Sequence, residues 1–289
     1  MPGQARTLIL SDTHLGRPGR VTVAALRPLW QGFDHLIING DAVELQMPSC
    51  RAAGARAVDT LQDAADRDGV ALTLISGNHD AYLSDLRYLY LLEGRVLLTH
   101  GDVLHPTIVP WTSHATVLAE QHAEAMARAT PTQRGCMDFR HDLSQRLSYR
   151  ERMGIRADGK DPGLNKLHNA LLHPIKVAQV LAYWRSIPAL VHRLVEQCAP
   201  GVEMVVLGHT HRQGVWNKHG RSILNCGSFD RPGRPRAVVV EGRTVSMHRI
   251  KWSGQAFQRM EKPVYVQRFT PPQPAANTVA APEHEPIAA

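Results

Sequence analysis

The chain has 289 residues, is 43% hydrophobic and carries a formal charge of +7 with a sequence pI near 9.5; it can bury a core as one large domain or two small ones, and its modest basic excess suits anionic partners or plain solubility. Cys50, Cys136, Cys198 and Cys226 stand far apart with no C-x-x-C spacing, which excludes a disulfide framework or thiolate zinc site and points to a reducing compartment. Asp12 arrives before any apolar stretch that could serve as a signal peptide, and no run approaches the roughly 18 apolar residues of a membrane span, so a cytoplasmic location is expected, with peripheral contact at the inner membrane left open.

Short apolar runs recur along the chain, and each ends in a polar signature: TLIL into SDTH, HLII into NGD, LTLI into SGNHD, VLLT into HGD, and MVVL into GHTH. Runs of this kind, without polar alternation, suit central strands covered on both faces. Helices are expected around 20–31 and 50–67, the second stopped by Gly69. Strand, helix, strand in order predicts an α/β layered fold.

From about 105 to 200 the texture changes to a helical insertion or cap. Residues 111–129 and 137–153 look helical and charged. Leu167, Leu171, Ala178, Leu181, Trp184, Leu190 and Leu194 keep a helical period, with Pro174 and Pro188 each expected to break or restart it. The pattern leaves open whether the cap is a lid or only covers the sheet. GVWN, RSILN, RAVVVEG and RTVSMHRI then suggest short antiparallel strands. The expected division is one domain over 1–269 and a disordered Pro- and Ala-rich tail over 270–289.

The strand-end signatures supply Asp12 and His14, Asp41, Asn78 and His79, His100, and His209 and His211. Carboxylates, imidazoles and amides bind borderline divalent cations. In α/β sheets ligands gather outside the carboxyl ends of the strands, so these ends could converge on one crevice. On extended backbone, residues i and i+2 project to one side, which would let Asp12 with His14, and His209 with His211, act as chelating pairs. Gly40, Gly77, Gly101 and Gly208 suit close backbone approach. A lone strand-end histidine is more often a satisfied structural residue. It is the ordered set that points to a metal site.

The order Asp12-Thr13-His14, Gly40-Asp41, Gly77-Asn78-His79-Asp80, His100 and Gly208-His209-Thr210-His211 resembles the calcineurin-like metallophosphoesterase superfamily. Glu44 in GDAVE and NCGS at 225–228 agree with it, and the likeness spans about 7–104 and 203–245. It implies an α/β fold, a layered β-sandwich flanked by helices with the helical cap inserted. It also implies two divalent metals, the first held by Asp12, His14, Asp41 and His211. Asp41 would bridge to the second, completed by Asn78, His100 and His209. A bridging water acidified towards hydroxide would attack phosphorus in line. His79 would stabilise the transition state or protonate the leaving oxygen, and Asp80 would orient His79 from behind or make a simple turn hydrogen bond. Manganese is favoured, with Fe, Zn, Ni or Co admissible for a thiolate-free set.

The motifs leave the substrate open: a phosphorylated small molecule (phosphomonoester, phosphodiester or diphosphate) or a nucleotide-linked lipid. The second resembles the UDP-2,3-diacylglucosamine diphosphatases, although those enzymes commonly carry arginine where His79 stands, and aspartates where VLHP follows the H-G-D motif here. A nuclease ranks lower for want of an aromatic stacking platform. A non-catalytic scaffold on the same fold would be expected to have lost ligands. No obligate protein partner is evident. In the cap, Arg140, Arg146, Arg150 and Arg152 could meet a second phosphate or head group, or simply form a solvated face.

Overall fold

A computed structural model describes residues 5–157 and 174–271. Its centre is a pair of sheets. The first, six-stranded, runs β11-β10-β9-β1-β2-β3, built from β1 (Arg6–Leu10), β2 (His35–Asn39), β3 (Ala71–Ile75), β9 (Arg236–Glu241), β10 (Thr244–Trp252) and β11 (Phe257–Arg268). The second, five-stranded, runs β4-β5-β6-β8-β7, from β4 (Tyr88–Leu91), β5 (Val96–Thr99), β6 (Met204–Leu207), β7 (Gly214–Lys218) and β8 (Arg221–Asn225). Strands β1, β2 and β3 pair in parallel, as do β5, β6 and β8, so each sheet aligns carboxyl ends at one edge.

The pleat of β1 shows why its apolar run does not alternate. Leu8 and Leu10 pack into an outer core, while Ile9 turns into the core between the sheets. There Ile9, Ile37 and Ile75 meet Val96, Leu98, Met204, Val206 and Leu224 of the opposite sheet. The outer face of the first sheet is covered by α1 (Val23–Leu26) and α2 (Arg51–Asp68), and α2 stops at Gly69 in the left-handed conformation, φ 68°. The helix expected over 20–31 shrinks to that single turn and a 3-10 turn at Arg27–Leu29, because Pro28 withholds a backbone N–H.

The insertion supplies α3 (Ala115–Arg128), α4 (Pro131–Arg134), α5 (Met137–Ala157) and α6 (Pro174–Cys198). Pro188 was expected to interrupt the last of these, yet α6 runs through it. The compensation is packing: Tyr183, Ile187, Val191, Leu194 and Val195 bury one stripe of α6 against Leu97, Val205, Leu207 and Ile223. Several such side chains, at roughly 1.5–3 kcal/mol each, exceed the roughly 3 kcal/mol cost of an internal proline. Leu167, Leu171 and positions 272–289 of the expected tail lie outside the described residues. The long edge strand β11 has no counterpart in the sequence reading, since its charged residues and Pro263 hide a strand pattern.

Asn39 links the sheets beneath their carboxyl ends. Its Nδ2 donates to the Thr99 carbonyl (3.0 Å) and the Val206 carbonyl (3.1 Å), both on the opposite sheet, and the residue is fully buried. Asn39→Ala would strand both carbonyls in the interior. Its unfolding free energy, read by urea titration, should fall by about 2–3 kcal/mol. A loss near zero would mean the link contributes nothing.

Candidate metal centre

The signatures that close β1, β2, β3, β5 and β6 meet at one edge of the sandwich. Asp12, His14, Asp41, Asn78, His100 and His209 are buried, and His211 keeps its side chain 34% exposed, marking the open side. The backbone does not present the pairs as extended chain. Asp12 (φ 52°), His14 (φ 45°), Asp41 (φ 52°), His209 (φ 64°) and His211 (φ 57°) all occupy the left-handed region. Such residues cost free energy and are held only where their surroundings over-determine them. The surroundings are visible: the Asp12 amide donates to Gly40 O (3.1 Å), the His14 amide to Asp41 O (2.9 Å), and the His209 amide to the Asp12 carboxylate (3.1 Å).

Glycine is required where these turns touch. A Cβ on Gly40 would lie 2.3 Å from the His100 ring, and one on Gly208 would lie 1.8 Å from Ser11 Oγ. Either substitution would push the loops apart.

Within the pocket the donor atoms converge. Atoms of Asp12, His14, Asp41 and His211 all lie within 4.8 Å of one another. His14 Nε2 stands 3.1 Å from His211 Nε2 and 3.8 Å from Asp41 Oδ2, and His211 Nε2 is 3.2 Å from Asp12 Oδ1. Metal–ligand bonds of about 2.1 Å place neighbouring donors roughly 3–3.5 Å apart, so these residues fit a divalent cation. On the far side of Asp41, its Oδ2 is 3.2 Å from His100 Nε2. Asn78 Oδ1 is 3.3 Å from that nitrogen and 2.9 Å from His209 Nδ1.

Outer carbonyls orient the imidazoles. His100 Nδ1 meets Asn39 O at 3.1 Å and His209 Nε2 meets Ile108 O at 3.0 Å. A ring N–H given to a carbonyl leaves the other nitrogen's lone pair facing the pocket. Burial, then the Arg17 charge, holds His14 well below the ordinary histidine range, and burial with His100 nearby pushes His209 down to about 4. Both shifts favour the neutral ring, the form in which imidazole binds a metal. Burial alone would lower His100, yet the Asp41 carboxylate overrides it and holds that ring above its usual range.

Of the two roles expected for Asp80, the structure shows the turn hydrogen bonds. Asp80 does not reach His79. Its Oδ1 accepts from the Gly77 amide (2.6 Å) and the Asp41 amide (3.2 Å), and its Oδ2 from the Ala42 (2.7 Å) and Val43 (3.3 Å) amides. The carboxylate ties the Gly40–Asp41 turn to the Asn78 turn, and burial with Asp41 beside it pushes its acid up to about 7. The orienting contact belongs instead to Glu44, whose Oε2 and Oε1 lie 2.9 and 3.1 Å from His79 Nδ1. Burial would raise the Glu44 acid, but His79 and Arg17 together hold it down to about 2.

The cap arginines do not join this cluster by any contact among the described residues. Arg140 donates to Arg134 O (2.8 Å) and Gln197 Oε1 (2.7 Å), fastening α5 to neighbouring helix ends. Helix α5 turns Ser144, Ser148 and Glu151 inward and leaves Arg146 and Arg150 exposed on the opposite face. Arg152 lies over the Tyr149 ring, 5.0 Å from its centroid. The cap reaches the site at two points: the Ile108 carbonyl at His209, and α6, where Trp184 Nε1 donates to Thr210 O (3.0 Å) between His209 and His211.

The profile of the calcineurin-like phosphoesterase superfamily domain matches residues 6–244. The chain belongs to that superfamily. No curated protein matches it. Among solved structures it is similar to a Vps29 single mutant from Entamoeba histolytica, at 11% identity over 92% of this chain and 99% of that one, TM-score 0.43. It is also similar to Yfce, a phosphoesterase from E. coli, at 14% identity over 92% and 100% of the two chains, TM-score 0.40. A third is a cold-active protein-tyrosine phosphatase of the psychrophile Shewanella sp., at 16% identity over 90% and 82%, TM-score 0.38.

Arg17 and Asp230 were missed in the sequence, although each stands close after a signature, because only packing brings them together with Glu44. In this superfamily member the Asp80 contacts predict a structural outcome. Asp80→Ala should strand the amides of Gly77, Ala42 and Val43 and lower the unfolding free energy by about 1–3 kcal/mol, measured by denaturant titration. Full stability with lost turnover would return Asp80 to a role at His79.

Proposed function

We propose that this protein is a dinuclear-metal-dependent phosphoesterase that cleaves a phosphomonoester, phosphodiester or diphosphate by in-line attack of water on phosphorus. The observation that carries the reading is Asp41 Oδ2, which lies between His14 Nε2 (3.8 Å) and His100 Nε2 (3.2 Å), so one carboxylate faces both halves of the cluster. Asp12, His14, Asp41 and His211 would hold one cation; Asp41, Asn78, His100 and His209 would hold the other, with manganese favoured. Two such cations supply Lewis-acid activation of water and a positive field for a phosphoryl group.

The remaining work falls to this chain's own residues. His79 is 17% exposed by its side chain, so substrate can reach it. With Nδ1 donating to Glu44, Nε2 is the nitrogen left to meet a leaving oxygen and give it a proton. The His79 amide donates to Asp41 Oδ1 (2.8 Å), which ties the acid to the carboxylate shared by the two halves. The buried ligand set has low dielectric around it, and that strengthens every charge interaction with a bound phosphate.

A second reading of the substrate, a nucleotide-linked lipid, is favoured by apolar side chains left in solvent: Val177 and Leu181 on α6, and Tyr149 on α5, whose ring meets that of Tyr82 at 5.7 Å. Those surfaces suit acyl chains or peripheral contact with a bilayer. Among the described residues no helix is long and apolar enough to cross a membrane.

A manganese-supplemented panel of p-nitrophenyl phosphate, bis-p-nitrophenyl phosphate, UDP-diacylglucosamine and single-stranded DNA tests the function and separates the substrates. Turnover of none, with metal bound, would favour a non-catalytic scaffold. His79→Ala should keep its metal while kcat falls about 10²-fold or more, the scale of losing a general acid; wild-type turnover would remove His79 from the chemistry. Asp41→Asn should lose metal from both positions when assayed by elemental analysis. Retention of two full equivalents would show that the carboxylate is not shared.

A further inference from the structure

Three residues beyond His14, Arg17 leaves the metal-ligand motif and enters a buried ionic knot. Its Nε donates to Glu44 Oε2 at 2.7 Å, its Nη2 reaches the same oxygen, and its Nη1 binds Asp230. Nη2 also lies 3.2 Å from His79 Nδ1. The Arg17 side chain is 7% exposed and that of Glu44 is 0% exposed. We infer that Arg17 is a positioning residue, which locks the Glu44 carboxylate and thereby aims His79 at the leaving group. The inference rests on the phosphoesterase reading given above.

The geometry distinguishes this from an ion pair that merely holds the fold. The oxygen that Arg17 grips, Glu44 Oε2, is the nearer of the two to His79 Nδ1, at 2.9 Å against 3.1 Å for Oε1. The other oxygen, Oε1, accepts from the amides of Gln46 and Met47, each at 2.9 Å. The carboxylate is thus fixed on every side: amides hold Oε1, the guanidinium holds Oε2, and His79 Nδ1 donates to the pair. Without the guanidinium, the Glu44 group keeps its amides but loses the contact that sets the position of Oε2.

Asp230 explains why the guanidinium itself does not move. Its loop is bound to the ligand loop, with Phe229 N donating to Asp12 O (3.2 Å) and Ser228 Oγ to the same carbonyl (3.3 Å). Three segments therefore meet at Arg17: the loop carrying Asp12 and His14, the turn carrying Asp41 and Glu44, and the loop after β8. A planar fork can hold Glu44 and Asp230 together, whereas an ammonium would hold them as a point charge without fixing direction.

The experiment compares Arg17→Lys, Glu44→Gln and the double variant with wild type, each checked for Tm and bound manganese. Turnover is measured on bis-p-nitrophenyl phosphate and p-nitrophenyl phosphate. Imidazole ¹⁵N–¹H spectra of the metal-free protein report the His79 Nδ1–H, assigned by its loss in His79→Asn. Arg17→Lys should lower kcat about 10-fold or more while KM stays within about twofold and metal content is unchanged, the behaviour of a group acting through another. The double variant should be no slower than Glu44→Gln alone, and the His79 resonance should shift or broaden in Arg17→Lys. Wild-type kcat with an unmoved resonance, or losses that multiply in the double variant, would reduce Arg17 to a structural residue. Should Arg17→Lys fail to fold, Arg17→Met combined with Glu44→Gln removes both buried charges together; its kcat should match Glu44→Gln, and a further loss overturns the inference. If wild type turns over nothing, the phosphoesterase reading fails by itself, while the resonance still decides whether Arg17 positions His79.

Discussion

Asp41 is held by its neighbours more than by its own strand. Burial works against its charge, yet His100 and His79 keep the carboxyl well below the usual carboxylate range. Its Oδ1 receives the His79 amide, its Oδ2 faces both His14 and His100, and its backbone carbonyl receives the His14 amide. An anion fixed in this way at the edge of two sheets imposes an arrangement on everything nearby. The imidazoles must turn toward it, and the loops must come close enough for them to do so.

That closeness has a conformational cost, visible in the left-handed backbone at Asp12, His14, Asp41, His209 and His211. The cost is met by polar contacts beneath the pocket rather than by local propensity. Asp80 gathers amides from two turns, Asn39 joins the two sheets, and Ser11 Oγ donates to Asp12 Oδ2 at 2.5 Å. Each of these contacts satisfies buried polar groups, although Asn39 Oδ1 and His14 Nδ1 are left without a hydrogen bond. The strained loops are therefore part of a preorganised site, in which the charges are already placed before a ligand arrives.

Around this centre the chain uses two kinds of support. Apolar layers of helix, sheet, sheet and helix fix the strand ends in space. On that frame α6 buries its stripe against the second sheet and lends Trp184 to the Thr210 carbonyl, so one helix serves both the core and the site loop. The exposed face of α5 carries Arg146 and Arg150 away from its buried side, a consequence of helical periodicity that a list of basic residues does not reveal.

The strands β1, β2, β5 and β6 could be read from the sequence because uninterrupted Val, Ile and Leu runs suit strands buried on both faces, while β3, read in the same way, is a half-buried edge strand. The residue types of the candidate site were legible for a related reason: each stands where such a run stops, and parallel pairing then aligns those strand ends at one edge. Long-range contacts were not legible. Burial of a distant stripe outweighed Pro188, and charged residues with Pro263 concealed β11. The partner of His79 was decided by which carboxylate reached it in space, Glu44 from the preceding turn rather than Asp80 beside it in sequence. Local sequence determined which groups end each strand; only the tertiary structure decided which of them touch, because hydrogen bonds and ion pairs depend on distances of a few ångströms that the chain sets through its whole packing.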